Sequence, residues 1–121
     1  MSRAAPDRKK AERLGRWGEI RASLWLNLHG WWIVANRVKT PRGEIDLVAR
    51  RGRTVAFVEV KTRKHAHELK LAVDEYRLRR VAAAAEAVAH RYCREGDTMR
   101  IDVLLLAPGR LPRHIVNAWQ P

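Results

Sequence analysis

Cysteine is almost absent from the 121-residue chain; the only one is Cys93. It cannot close an internal disulfide or build a zinc site alone. That fits a reducing compartment, so a cytoplasmic protein is expected. Long apolar runs are missing too. The longest, Trp31 to Ala35, Val81 to Ala85 and Val103 to Ala107, fall well short of the ~20 residues a membrane helix needs. No apolar segment follows the basic start, Met1 to Lys10, so it does not read as a secretory signal. Internal repeats and low-complexity blocks are lacking. Acids are scarce beside bases: 13 Asp and Glu against 25 Lys and Arg, a formal net charge of +12. These absences exclude secreted disulfide-rich, membrane-spanning and fully disordered classes. They leave ribosomal proteins, DNA-binding proteins and nucleases.

Hydrophobic residues make up 46% of the chain, enough to bury a core. The length suits one domain, expected over residues 11–121 behind a loose basic arm at residues 1–10. A charge of +12 costs self-repulsion that a polyanion relieves, so nucleic acid is the first partner class. A membrane surface is disfavoured, because no long helix pairs a clean basic face with a bulky apolar one.

Helical spacing of Leu14, Trp17, Leu24, Trp25 and Leu28 predicts a helix over Ala11 to Leu28. Gly15, Gly18 and Ala22 form a second, small-residue face bordered by Glu19, which implies close backbone approach there. Strands are expected at Trp31 to Asn36, Glu44 to Arg50 and Thr54 to Thr62. A polar loop follows. A long helix then runs roughly from Val73 to Arg94, with Val81, Ala85, Val88 and Tyr92 as its core stripe. Met99 to Ala107 reads as a strand buried on both faces, and His114 to Trp119 as a last one. The order α-β-β-β-α-β-β implies an α+β (α/β) sandwich with a mixed sheet.

The second and third strands carry the chemistry. With a two-residue turn at Arg51-Gly52, paired positions sum to 103, so Glu44 faces Glu59 and Asp46 faces Phe57. Paired residues share a face. Glu44, Asp46, Glu59 and Lys61 then lie together, whereas a three-residue turn would reverse the parity. Clustered acids repel and call for a cation; a divalent ion with oxygen ligands suits them. Such a site suits phosphodiester hydrolysis, with Mg²⁺ (or Mn²⁺) polarising the phosphate and Lys61 orienting water or stabilising charge. The plainer reading makes Glu59 and Lys61 a solvated ion pair on an edge strand. Against it, Ala56, Val58 and Val60 mark a buried strand, where carboxylates are rare.

The runs Gly43-Glu44-Ile45-Asp46-Leu47-Val48-Ala49 and Phe57-Val58-Glu59-Val60-Lys61-Thr62-Arg63 resemble the uncharacterised YraN-like family. That family belongs to the PD-(D/E)XK, or restriction endonuclease-like, superfamily, near archaeal Holliday junction resolvases. Gly15-Arg16-Trp17-Gly18-Glu19 resembles its N-terminal helix motif and Arg100-Ile101-Asp102-Val103 its late strand motif. The resemblance implies a three-layer fold with a mixed sheet flanked by helices. It implies Asp46 and Glu59 as metal-binding acids, Lys61 as the catalytic lysine and Glu19 as the acid completing the metal site. Glu44 is a family feature without an assigned role. The family tends to carry a lysine early in the long helix, where this chain has Arg77. Arginine keeps the charge but cannot act as a base.

Arg63 and Lys64 leave the site directly and are candidates for backbone contacts, as are Arg77 and Arg80, with Arg91 and Arg94 further along the same helix. The plainer reading of those arginines is a solvated helix face. His65 and His67 are candidates for metal or phosphate contacts, though loop histidines usually face solvent. His29 and His114 read as structural, and Cys93 as an inert thiol. Trp32 and Trp119 are the tryptophans whose exposure is worth checking. The preferred reading is a Mg²⁺-dependent nuclease acting on DNA, on branched or damaged DNA in particular. A homodimer with one site per strand is compatible with it. The alternative is a non-catalytic nucleic-acid-binding module, RNA or ribosome association included.

Overall fold

A computed structural model describes residues 4–65, 67 and 74–119. Its elements are α1 (Ala4–Leu28), β1 (Trp32–Thr40), β2 (Gly43–Arg51), β3 (Thr54–Thr62), α2 (Glu75–Tyr92), β4 (Thr98–Leu106) and β5 (Arg113–Ile115), in the order the sequence predicts. The five strands form one sheet, β1-β2-β3-β4-β5. β3 and β4 run parallel, joined through α2; the other pairs are antiparallel. Parallel neighbours need such a crossover.

The sheet carries a helix on each face. On the α2 face, Val48, Val55, Phe57, Ile101, Val103 and Leu105 pack against Leu78, Val81, Ala84, Ala85 and Val88. Asp74 caps this helix, its carboxylate accepting the Tyr76 N–H at 2.9 Å. On the α1 face, Leu47, Ala49, Ala56, Val58, Leu104 and Leu106 pack against Ala22 and Leu26. All of these sheet residues are buried, so the core lies in two layers around nearly continuous apolar strands.

The first helix departs from expectation at its start and in its orientation. It is helical from Ala4, where a loose arm is expected; Met1 to Arg3 lie outside the described residues. Pro6 falls in the first turn, where no backbone N–H needs a helical partner. The face it buries is the small-residue one. Gly18 and Ala22 meet the sheet, and a Cβ at Gly18 would collide with the Thr62 side chain. Leu26 is buried beside these two, with Trp17 and Trp25 packed at the edge of that contact. Leu24 and Leu28, expected in the core stripe, are 58% and 84% exposed, and Ile20 is 62% exposed.

The hairpin register is corrected by two residues. Arg51 pairs with Thr54, so the turn is Gly52-Arg53 and pairs sum to 105 rather than 103. Gly52 supplies the left-handed φ of +60° that this turn requires. A two-residue slip preserves parity, so the acids stay on one face, but the neighbours change. Asp46, not Glu44, comes beside Glu59. The last strand is also shorter than expected, ending at Ile115.

Candidate functional site

The β2–β3 ladder ends at the pair Leu47–Val58. One residue further on, the Asp46 side chain takes over: its Oδ2 accepts the Val60 N–H at 2.8 Å. β2 turns at this point. Ile45 packs on the α2 face and Leu47 on the α1 face, although they are two residues apart. Opposite Asp46, between the pairs Asn36–Leu47 and Val38–Ile45, Arg37 has a left-handed φ of +48°. The sheet opens here and lets carboxylates from separate elements approach.

Glu59 is 2% exposed. Its Oε1 accepts from Lys61 Nζ at 3.0 Å and from the Arg77 guanidinium, Nε at 3.2 Å and Nη2 at 3.0 Å. The Asp46 carboxyl lies beside that of Glu59, close enough for the two charges to interact. Burial, and next the negative charge of Glu59, push Asp46 up from the ordinary aspartate range to about 7; the Val60 N–H opposes this. Asp46 therefore keeps its proton much closer to neutrality than an ordinary aspartate does.

Two cavities meet at this pair. One of about 280 Å³ is lined by Gly43, Glu44, Asp46, Glu59, Arg77, Arg80 and Val81. The other, about 200 Å³, is lined by Gly15, Glu19, Asp46, Glu59, Val60, Thr62 and Arg77. Asp46, Glu59 and Arg77 wall both. A third hollow of about 410 Å³, lined by Glu12, Gly15, Arg16, Glu19 and Arg37, adjoins the second. Arg80 stands at one end of this trough and Arg16 at the other.

Glu19 thus faces the same cavity as Asp46 and Glu59, but its Oε2 is held by Arg37, with Nε and Nη2 each at 3.0 Å. Among the described residues, no three of His, Cys, Asp and Glu stand close enough to hold a metal ion as they are. The donor set nevertheless fits a hard divalent cation. All its donors are carboxylate oxygens, Asp46 and Glu59 lie side by side, and the raised Asp46 carboxyl marks a place where a cation would relieve charge. Glu44 does not oppose Glu59; it is exposed at the rim of the cavity shared by Arg77 and Arg80.

The expected phosphate contacts divide. Lys64 and Arg80 are exposed. Arg77 is tied to Glu59. Arg63 is half-buried, its guanidinium on the Thr62 carbonyl at 2.7 Å. Arg91 and Arg94 are exposed too, Arg94 just beyond the end of α2. His65 and His67 stack at 5.6 Å between centroids. Burial raises the Cys93 thiol, which suits an inert thiol rather than a nucleophile. Trp32 is 77% exposed, whereas Trp119 packs against the core.

Sequence reasoning missed two features. Arg37 falls beyond the expected end of the first strand, and the basic run Arg37-Val38-Lys39 was the only available signal. The second is a polar network on the α1 face. Asp102 is fully buried and accepts from Arg100 through both oxygens at 2.9 Å, from His114 Nε2 at 2.7 Å and from the Asn117 N–H at 2.9 Å. Trp31 lies against Arg100 and Trp25 meets the His114 ring edge-on. His114, read as structural, pins β5 to β4 in this way.

The mixed sheet between two helices has a restriction endonuclease-like fold. The fold is similar to that of Hjc, a Holliday junction resolvase from Archaeoglobus fulgidus, with a TM-score of 0.52 and 22% identity over 84% of this chain and 75% of that one. The family model for "Uncharacterised protein family UPF0102" matches residues 18–106. The chain belongs to that family. A UPF0102 protein of Erythrobacter litoralis is 69% identical over 94% of this chain and 98% of its own. One from Sphingopyxis alaskensis is 63% identical over the whole of both, and one from Caulobacter vibrioides is 44% identical over 90% of this chain and 88% of its own. None of the described helices is long and apolar enough to cross a membrane.

Proposed function

We propose that this protein is a divalent-metal-dependent nuclease that binds DNA and hydrolyses phosphodiester bonds, with branched or damaged DNA as its substrate class. The observation carrying the proposal is the Asp46–Glu59 pair, with Lys61 and Arg77 on Glu59, at the centre of an arginine-flanked trough. Hjc supports it through its fold, as a resolvase of four-way DNA junctions. Asp46, Glu59 and Glu19 would hold Mg²⁺ or Mn²⁺. A cation there polarises the scissile phosphate and makes attacking water more acidic.

The chain's own residues supply the rest. Lys61 brings a positive charge to the reacting phosphate and can donate to water or to a phosphoryl oxygen. Arg77 stays protonated, so it binds phosphate and does not act as a base. Arg80, Lys64 and Arg63 contact the backbone beyond it, which positions nucleic acid without reading sequence. The log of DNA affinity should fall with log salt by about 0.9 per phosphate contacted. A homodimer belongs to the same proposal. Ile20, Leu24 and Leu28 are exposed one turn apart on α1 and offer an apolar face for a second copy. Light scattering reads it. A cytoplasmic setting, where the thiol stays reduced, completes the proposal.

Cleavage of linear, flapped, four-way and single-stranded DNA in Mg²⁺ and Mn²⁺ tests the activity. Glu59→Gln and Lys61→Ala should each lower the rate by about 10² to 10³ while the protein stays folded. Glu59→Gln should bind DNA as well as wild type or better, and Lys61→Ala slightly less well. Tight DNA or RNA binding without cleavage of any substrate would assign the chain to non-catalytic nucleic-acid-binding modules instead.

A further inference from the structure

Arg37 takes an unfavourable backbone conformation, φ +48°, in the middle of β1. Such a conformation persists at a non-glycine residue only where its surroundings hold it. The flanking ladder pairs do so here, and they set Arg37 directly across from Asp46. Its side chain is 52% exposed, so packing does not dictate where the guanidinium goes. It goes to Glu19, placing two donors on one oxygen. The charges of Glu44 and Asp46 reach it as well.

We propose that Arg37 is a latch on the metal site: its guanidinium holds Glu19 while the site is metal-free, and a divalent cation displaces it. The inference rests on the metal-dependent reading above and extends it to a residue that reading does not use. Asp46 and Glu59 already lie side by side, so for three carboxylates to meet Glu19 must leave Arg37. Arginine cannot leave by losing its proton. The exchange is therefore charge for charge, and the guanidinium comes free in the hollow it shares with Arg16. Two parallel N–H groups there suit a phosphate oxygen pair. Arg37 thus acts as a positioning residue through Glu19, and metal loading and substrate capture become linked.

The test is Mn²⁺ binding to the full chain, read as free Mn²⁺ by electron paramagnetic resonance, for wild type, Arg37→Gln, Glu19→Gln and the double variant. Arg37→Gln should bind Mn²⁺ about 5-fold tighter or more, in the range of ordinary coupling between sites. Glu19→Gln should bind it more weakly. In the Glu19→Gln background the Arg37→Gln gain should vanish. Arg37→Gly relieves the backbone and serves if Gln at this φ folds poorly; it should tighten Mn²⁺ equally. An unchanged affinity in Arg37→Gln and Arg37→Gly overturns the latch. A gain that persists without Glu19 also overturns it, since Arg37 would then act only as a nearby charge. Failure of wild type to bind Mn²⁺ at all overturns the metal reading and the latch with it.

Discussion

Asp102 on β4 and Asp46 on β2 are both carboxylates drawn out of water onto the central sheet. Asp102 is fully buried and has four donors, two of them from one arginine. Burial alone would raise it, yet His114, Arg100 and the Asn117 N–H hold it below the ordinary aspartate range. Asp46 has the Val60 N–H and a second carboxylate beside it, and burial with that neighbour carries it to about 7. One acid completes a network and fixes a strand. The other is crowded against its own kind. A carboxyl pushed this far from its ordinary range in a cleft points to a site rather than a scaffold.

The largest effect should come from the satisfied acid. Asp102→Ala leaves Arg100 and His114 without their partner in the core, and losing one side of a buried pair costs about 3–5 kcal/mol. Urea denaturation reads it. A loss within about 0.5 kcal/mol, the range of a surface change, would end the distinction from the scaffold side.

The crowded acid should behave in the opposite sense. Folded Asp46 keeps its proton to about pH 7, whereas an unfolded aspartate loses it near 3.9. Between those values the folded state binds more protons, so this group's contribution to stability falls as pH rises from about 4 to about 7. Asp46→Asn can still accept the Val60 N–H and removes that penalty. It should match wild type near pH 4 and exceed it by on the order of 4 kcal/mol at pH 8. Denaturation curves at the two pH values check this; a variant less stable than wild type at pH 8 would place Asp46 with Asp102.

A smaller effect separates packing from site on α1. Gly18 abuts Thr62, so Gly18→Ala should cost about 1–3 kcal/mol. Gly15 lines the cavity beside Glu19, and a Cβ there would touch nothing within 4 Å. Gly15→Ala should therefore stabilise by about 1 kcal/mol through helix propensity. Melting curves of the two variants should move in opposite directions.

Much of this was legible in the sequence. β3 spans Thr54–Thr62 as alternation predicts, and the shared face of Asp46, Glu59 and Lys61 survives because side-chain parity is indifferent to a two-residue slip. The register itself was not legible, since Arg51-Gly52 and Gly52-Arg53 are equally good turn dipeptides. The buried face of α1 was legible in part: Trp17 and Trp25 pack on the core as their spacing predicts, whereas Leu24 and Leu28 do not, because the closest contact is set by what Gly18 and Ala22 lack. Glu19 was found by its motif, but its tie to Arg37 crosses 18 residues and depends on a backbone twist that no local pattern encodes.

The central claim is that Asp46, crowded by Glu59, gives up its proton to a divalent cation. A carboxyl-carbon NMR titration of Asp46, with and without Mg²⁺, measures this directly. The account predicts a midpoint near 7 without Mg²⁺ and a clear fall when it is added. A midpoint near 3.9 in both conditions, the value of an unperturbed aspartate, would contradict it.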